Sequence, residues 1–140
     1  IDPLDLAIGE SFMREDIPPL FGEAYNPGNW NVGHVVLAPK KAHILLVTIN
    51  KQGRADAHKY MDHWIDDSHF HWQSQNATDP SSKRGQEIIR HAALGIDIHL
   101  FVRENKLAAG KAAPFTYHGR VVYESHQGSQ PMSVVFGLTA

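Results

Sequence analysis

The sequence predicts an α+β fold: a curved, mostly antiparallel sheet or small β-barrel with one or two flanking helices, all within a single domain over residues 1–140. Three observations lead there. Short β-branched or alternating runs outnumber the helical ones. The strand–helix–strand alternation that builds a parallel sheet is missing. A composition of 42% hydrophobic and 20% charged residues is that of a globular domain large enough to bury a core.

The elements follow in chain order. Residues 1–12 carry no clear period. FMREDIPPLFG (12–22) suits a short helix that Pro18 and Pro19 limit to about two turns. EAYNPGNWN (23–31) reads as a loop, and VGHVVLAP (32–39) and HILLVTIN (43–50) as the first two strands. KQGRAD turns the chain. KYMDHWI (59–65) alternates Tyr60, Asp62 and Trp64 against Met61, His63 and Ile65, and HFHWQSQ (69–75) returns antiparallel to it after a tight link. NATDPSS is a turn with Asp79 and Pro80 suited to the N-cap and first position of a helix; the helix runs through QEIIRHAA (86–93) and ends at Gly95. DIHLFVRE (97–104) is a strand, NKLAAGKAA (105–113) a mobile-looking loop, and PFTYHGRVVYESH (114–126) a strand pair or one long strand bent at Gly119. MSVVFGL (132–138) closes the chain, and there is no internal repeat.

Composition narrows the function. No cysteine is present, so disulfides and thiolate metal sites are excluded, which fits a reducing, cytoplasmic setting. No apolar run nears the ~18 residues of a membrane span, so no membrane partner is expected. The chain opens on Ile1 rather than Met, as a piece of a longer protein would. A net charge of −2 does not advertise nucleic-acid binding. Basic residues do cluster locally at Lys40, Lys41, Lys51, Arg54, Lys83 and Arg84, which a solvated surface would equally explain.

The ten histidines raise the question of a metal. His69 and His71 share a strand face and would need a third ligand from His58, His63 or an Asp; surface or hydrogen-bonding histidines are the plainer reading, and neither a metal nor a cofactor is assigned. His71, Asn76 and His91 loosely imitate a ββα nuclease, but His91 falls late in its helix. No nucleophile elbow or phosphate loop exists, so nothing compels an enzyme.

HFHWQSQN (69–76) sets an indole directly before four polar residues, three of them amides. An aromatic face with donors and acceptors beside it is what holds a nucleobase taken out of its stack. The plainer alternatives are core packing for Trp72 and backbone capping by Gln73–Asn76.

VTINK (47–51), YMDHWIDDSHFHWQSQN (60–76), SSKRGQ, HLFVRE (99–104), TYHGRVVYESH (116–126) and QPMSVVF (130–136) together resemble a domain of unknown function. That domain sits at the C-terminus of bacterial fusions of a helicase with a phospholipase-D-type nuclease, methyl-directed (type IV) restriction enzymes among them. The resemblance spans about residues 11–138, with Phe12–Met13–Arg14–Glu15 where the family has Tyr–Thr–Arg–Glu. It implies a non-catalytic module that reads 5-methylcytosine or 5-hydroxymethylcytosine in duplex DNA by base flipping, as the specificity element of a modification-dependent endonuclease in phage defence. Helicase or nuclease domains would share the parent chain. By analogy the fold would be PUA-like, as in the SRA, EVE and YTH readers.

On that resemblance Trp72 and Tyr60 would wall the base pocket, Asp62 would accept from the cytosine amine, and Gln73, Ser74, Gln75 and Asn76 would hold the base edge or the gap. Lys51, Arg54, Ser82, Lys83 and Arg84 would grip phosphates. Trp30 is a candidate duplex wedge, with loop anchoring as its alternative. The competing functions are a histidine-dependent nuclease or hydrolase, a protein-docking domain, and a phosphorothioate reader.

Overall fold

The computed structural model describes residues 7–30, 32–50, 62–73, 80–128 and 132–139. Ten strands occur among them: β1 Ser11–Phe12, β2 His34–Leu37, β3 Ala42–Asn50, β4 His63–Asp66, β5 His69–Gln73, β6 Asp97–Asn105, β7 Leu107–Ala108, β8 Lys111–Ala112, β9 Phe115–Gln127 and β10 Ser133–Leu138. Eight of these form one sheet in the order β2-β3-β6-β9-β10-β5-β4, with β1 on β9 off that path, and β7 and β8 pair separately. Every pairing is antiparallel except β3 with β6. The α+β class and the curved, mostly antiparallel sheet are therefore as the sequence predicts; the sheet is open, with β2 and β4 at its edges.

The central strands are buried on both faces, which is why they read as near-continuous apolar runs. Leu45 and Val47 of β3 and Ile98, Leu100 and Val102 of β6 join Trp72, Ile88, Val134 and Phe136 in one core. Their neighbours Ile44, Leu46 and Phe101 face the other way, into a second core that the N-terminal segment covers with Ile17, Phe21 and Trp30. The period-two alternation of one strand thus feeds two cores.

Curvature has a local cause in β9. Gly119 adopts φ 91, and the register with β6 shifts between His99 and Phe101. A bulge there bends the strand instead of breaking it, so one 13-residue strand runs across the predicted interruption. Its first residues pair with β1 and its later ones with β10. The curl carries β5 round toward β2, and the His34 and Trp72 rings come within 5.3 Å although four strands separate them in the sheet.

Several boundaries differ from expectation. The 12–22 segment makes two 3-10 turns, Arg14–Asp16 and Pro18–Phe21, rather than one helix, because the prolines remove the donors an α-helix would need. Within the predicted loop, Pro27–Trp30 closes one helical turn, α1, whose Gly28 N–H donates to Asn26 Oδ1 at 2.8 Å. The main helix begins earlier than Gln86: α2 is Lys83–Ile89, capped by Ser82, with the Gly85 N–H donating to Ser82 Oγ at 3.1 Å; the predicted cap Asp79 lies outside the described residues. A further turn, α3 His91–Leu94, ends at Gly95 (φ 72) as predicted. The predicted loop at 105–113 is the β7–β8 hairpin, turned by Ala109 and Gly110 with φ 53 and 79.

Candidate functional site

Strand β5 alternates buried and half-buried residues. Phe70 and Trp72 enter the first core, while His69, His71 and Gln73 lie on the opposite face. Trp72 and Gln73 therefore cannot line one pocket. Trp72 is 3% exposed, edge-on to His34 at 5.3 Å and tilted on Phe136 at 5.8 Å. This corrects its expected role: a stacking wall needs an uncovered face, and this indole is core. Asp62 is also buried, and its Oδ1 accepts the Gln73 N–H at 2.9 Å, so it ties β4's approach to the end of β5 instead of waiting for a ligand. The Gln73 side chain donates to Ser133 Oγ at 3.5 Å and leaves its Oε1 buried with no partner among the described residues.

Trp30 is 2% exposed, and its carbonyl accepts from Arg14 Nη1 at 2.9 Å. It anchors the 23–30 segment to the second core, which corrects the wedge: an inserted side chain must project. Ser82 serves as the α2 cap. Lys83 is exposed, and Arg84 is half-buried beside it. Tyr60, Ser74, Gln75, Asn76, Lys51 and Arg54 lie outside the described residues.

Two cavities combine aromatic and polar walls. The first, about 450 Å³, opens at the end of the sheet where Asn50 pairs with Asn105. Trp64, His118, Ile49, Glu104, Arg103 and Thr116 line it. Trp64 is half-buried and held edge-on by Phe70 at 4.9 Å and His118 at 4.8 Å. Burial lowers the His118 pKa, so its ring is neutral at neutral pH. Arg103 is pinned, donating from Nε to Thr48 Oγ1 at 2.8 Å and from Nη1 to the Ala113 carbonyl at 3.0 Å. Trp64 was legible as a candidate, since it shares the alternation of Tyr60 and Asp62.

The second cavity, about 420 Å³, lies along edge strand β2 and brings together Trp30, His34, Arg84 and Asn29. Sequence reasoning named Trp30 and Arg84 for separate roles and missed His34. The signal was a histidine at the start of each of two apolar runs, HVVL in β2 and HILLV in β3. In β2–β3 register His34 pairs with Leu45 and Val36 with His43, so the two rings are diagonal neighbours on one face. They form a chain: His34 Nε2 and His43 Nδ1 are 2.8 Å apart, and His43 Nε2 and Glu87 Oε1 2.7 Å. Burial, then His43, then Arg84 push the His34 pKa well down; burial also lowers that of His43, against the pull of Glu87.

These shifts set a pH dependence. An unfolded chain protonates the histidines as pH falls below their ordinary value of 6.5, while the folded chain resists. The unfolded state then binds more protons, and stability falls with pH below about 6.5 by up to about 1.4 kcal/mol per pH unit for each histidine held neutral. Chemical denaturation at pH 7.5 and 5.5 measures this, and equal midpoints would contradict it.

Four other described histidines have partners within the fold. His63 and His71 stack at 4.7 Å, and His69 sits between Asp66 and Glu124, the former raising its pKa most. His91 donates from Nδ1 to the Ile96 carbonyl at 3.0 Å and accepts the Tyr123 N–H at Nε2, also 3.0 Å, so neither nitrogen is left for nuclease chemistry. Among the described residues no group of three His, Asp or Glu is placed to hold a metal ion.

Comparison with known proteins places this geometry. The family described as Domain of unknown function (DUF3427) matches residues 6–136, nearly the whole chain. The chain belongs to the DUF3427 family. This DUF3427 domain shares its fold with a solved structure, the MspJI restriction endonuclease in complex with a 27-mer oligonucleotide, at TM-score 0.50 and 15% identity. The likeness covers 76% of the DUF3427 chain but 31% of the endonuclease, so the chain spans about a third of that protein's length. No curated protein matches it.

Proposed function

We propose that this DUF3427 domain is a non-catalytic DNA-recognition module that reads modified cytosine, methylated or hydroxymethylated, in duplex DNA. The extruded base would occupy the Trp64 cavity. One observation carries the proposal: a space of about 450 Å³ in which a half-buried indole meets a carboxylate, Glu104, on a bent sheet. That volume falls within the ~300–1,000 Å³ of small-ligand sites. The indole supplies a stacking surface, worth roughly 1–3 kcal/mol per base. A carboxylate is the fitting acceptor for the exocyclic amine of cytosine. Glu104 thus takes the part first given to Asp62, whose oxygen is engaged with Gln73. A buried methyl would add on the order of 0.8 kcal/mol.

The fold shared with a DNA-bound restriction endonuclease supports this reading, and the resemblance noted in the sequence leads us to expect the family in restriction fusions. Lys83, exposed on α2, would contact phosphate and fix register without reading sequence. A nuclease or helicase in the parent chain would act on what this domain finds. Among the described residues no helix is long and apolar enough to cross a membrane.

The experiment is a titration of matched duplexes carrying cytosine, 5-methylcytosine or 5-hydroxymethylcytosine, at stated salt because phosphate contacts are salt-dependent. Tighter binding of a modified duplex, left intact with Mg²⁺ or Mn²⁺, is expected. Cleavage that a chelator stops would establish the nuclease alternative, and indifference to every duplex would favour a docking domain.

A further inference from the structure

One aromatic ring gathers two arginines. Phe12 of β1 pairs with Phe115 of β9, which brings the Arg14–Asp16 turn to the start of β9. The Arg14 guanidinium carbon lies 5.2 Å from the Phe115 ring centroid, and that of Arg103 lies 4.3 Å from it. Both fall within the ~6 Å of a cation–π contact. The main chain fastens each head as well. Arg14 Nη1 donates to the Trp30 and Val32 carbonyls at 2.9 and 3.0 Å, and Arg103 Nη1 to the Ala113 carbonyl at 3.0 Å. Ala113 in turn donates its N–H to the Lys106 carbonyl at 3.0 Å, so the residue that closes the β7–β8 hairpin ties Lys106 to Arg103.

Arg14, Arg103 and Lys106 line one cavity of about 240 Å³, together with a single carboxylate among the described residues, the exposed Glu15. Neither arginine forms an ion pair with a described residue. Burial lowers the pKa of both, and Arg14 lowers that of Arg103 further. Two like charges are thus held partly out of water, a cost that a bound anion would offset. The volume is below the ~300–1,000 Å³ of sites for whole small molecules and suits a single group. Guanidinium forks match the oxygens of a phosphate, and donors remain for it: Arg14 Nε and Nη2 and Arg103 Nη2 have no partner among the described residues. Arg103, Leu107 and Ala113 also line the Trp64 cavity. Alternation turns the Arg103 and Glu104 side chains to opposite faces of β6, so the two cavities adjoin around the strand end without sharing a floor.

We infer that the Arg14–Arg103–Lys106 cavity receives a backbone phosphate of the bound DNA, on the strand that presents its base to Trp64. The two arginines are fixed before the DNA arrives, so little ordering is lost on binding. The contact sets position and reads no sequence. This deepens the DNA-reading function proposed above and rests on it.

Duplex titrations over a range of salt test it, with methylphosphonate replacing one phosphate at a time around the modified cytosine. Lys106→Gln, at an exposed position, should weaken modified and unmodified duplex alike and lower the slope of log Kd against log salt by about one. One neutralised phosphate near the modified base should weaken the parent domain about tenfold and Lys106→Gln much less, because that contact is already gone. Arg103→Lys keeps the charge, loses the fork and should couple to the same phosphate; if it unfolds, the Lys106 cycle decides. If the duplex binds and no single phosphate couples to Lys106, the inference fails alone. A loss confined to the modified duplex overturns it too, by making Lys106 a base reader. Inorganic phosphate shifting the Arg103 Nε resonance without any coupling on DNA would give the cavity to a free phosphate instead. If no duplex binds, the DNA-reading function has failed, and the inference with it.

Discussion

Trp72→Ala is expected to remove about 3–5 kcal/mol of folding stability, the cost of emptying a large aromatic site in a packed core. The indole touches His34 on one edge of the sheet and Phe136 on β10, so its loss would open a void between elements far apart in the sheet order. Against a typical total of ~5–15 kcal/mol, that is about a fifth or more of what holds the domain together. Urea or thermal unfolding measures it. A Trp72→Ala protein as stable as the parent that had lost only its preference for modified duplex would return this residue to a base pocket and refute the packing described here.

Trp64→Ala should do the reverse. Its indole is half-buried at a cavity mouth, so truncation costs less stability, yet binding of the modified duplex should fall by about 1–3 kcal/mol, roughly 5- to 150-fold. Trp64→Phe retains an aromatic face and should recover much of the loss. Titrations at one salt concentration, with unmodified duplex alongside, make the comparison. A uniform loss on all duplexes would assign Trp64 to general packing and leave the cavity without its reader.

Strands were the most legible part of the molecule. DIHLFVRE and HILLVTIN announced themselves because burial on two faces favours apolar residues along the middle of each strand, and Gly95 marked a helix end that φ 72 requires. The 105–113 segment was misread because Ala109 holds a positive φ that sequence rules reserve for glycine or asparagine. Along β5, the direction of the side chains was not legible. HFHWQ carries both an indole and an amide, but strand alternation sends them to opposite faces, and only the sheet order decides which face is closed. The histidine chain was illegible for a different reason: it joins β2, β3 and α2, and no local pattern announces a contact between residues 43 and 87.

Joining β3 to β6 in parallel obliges the chain to complete the whole stretch between Asn50 and Asp97 before those two strands can dock. Contacts of such long sequence separation are slow to form, because loop-closure entropy is lost before any packing compensates for it. The chain is therefore expected to fold late around this pair, with the N-terminal hairpin of β2 and β3 assembled first. Translation itself would help set the order: β2 and β3 emerge well before β6, and the central pair of the sheet becomes complete only after the segment that carries β6 has left the ribosome.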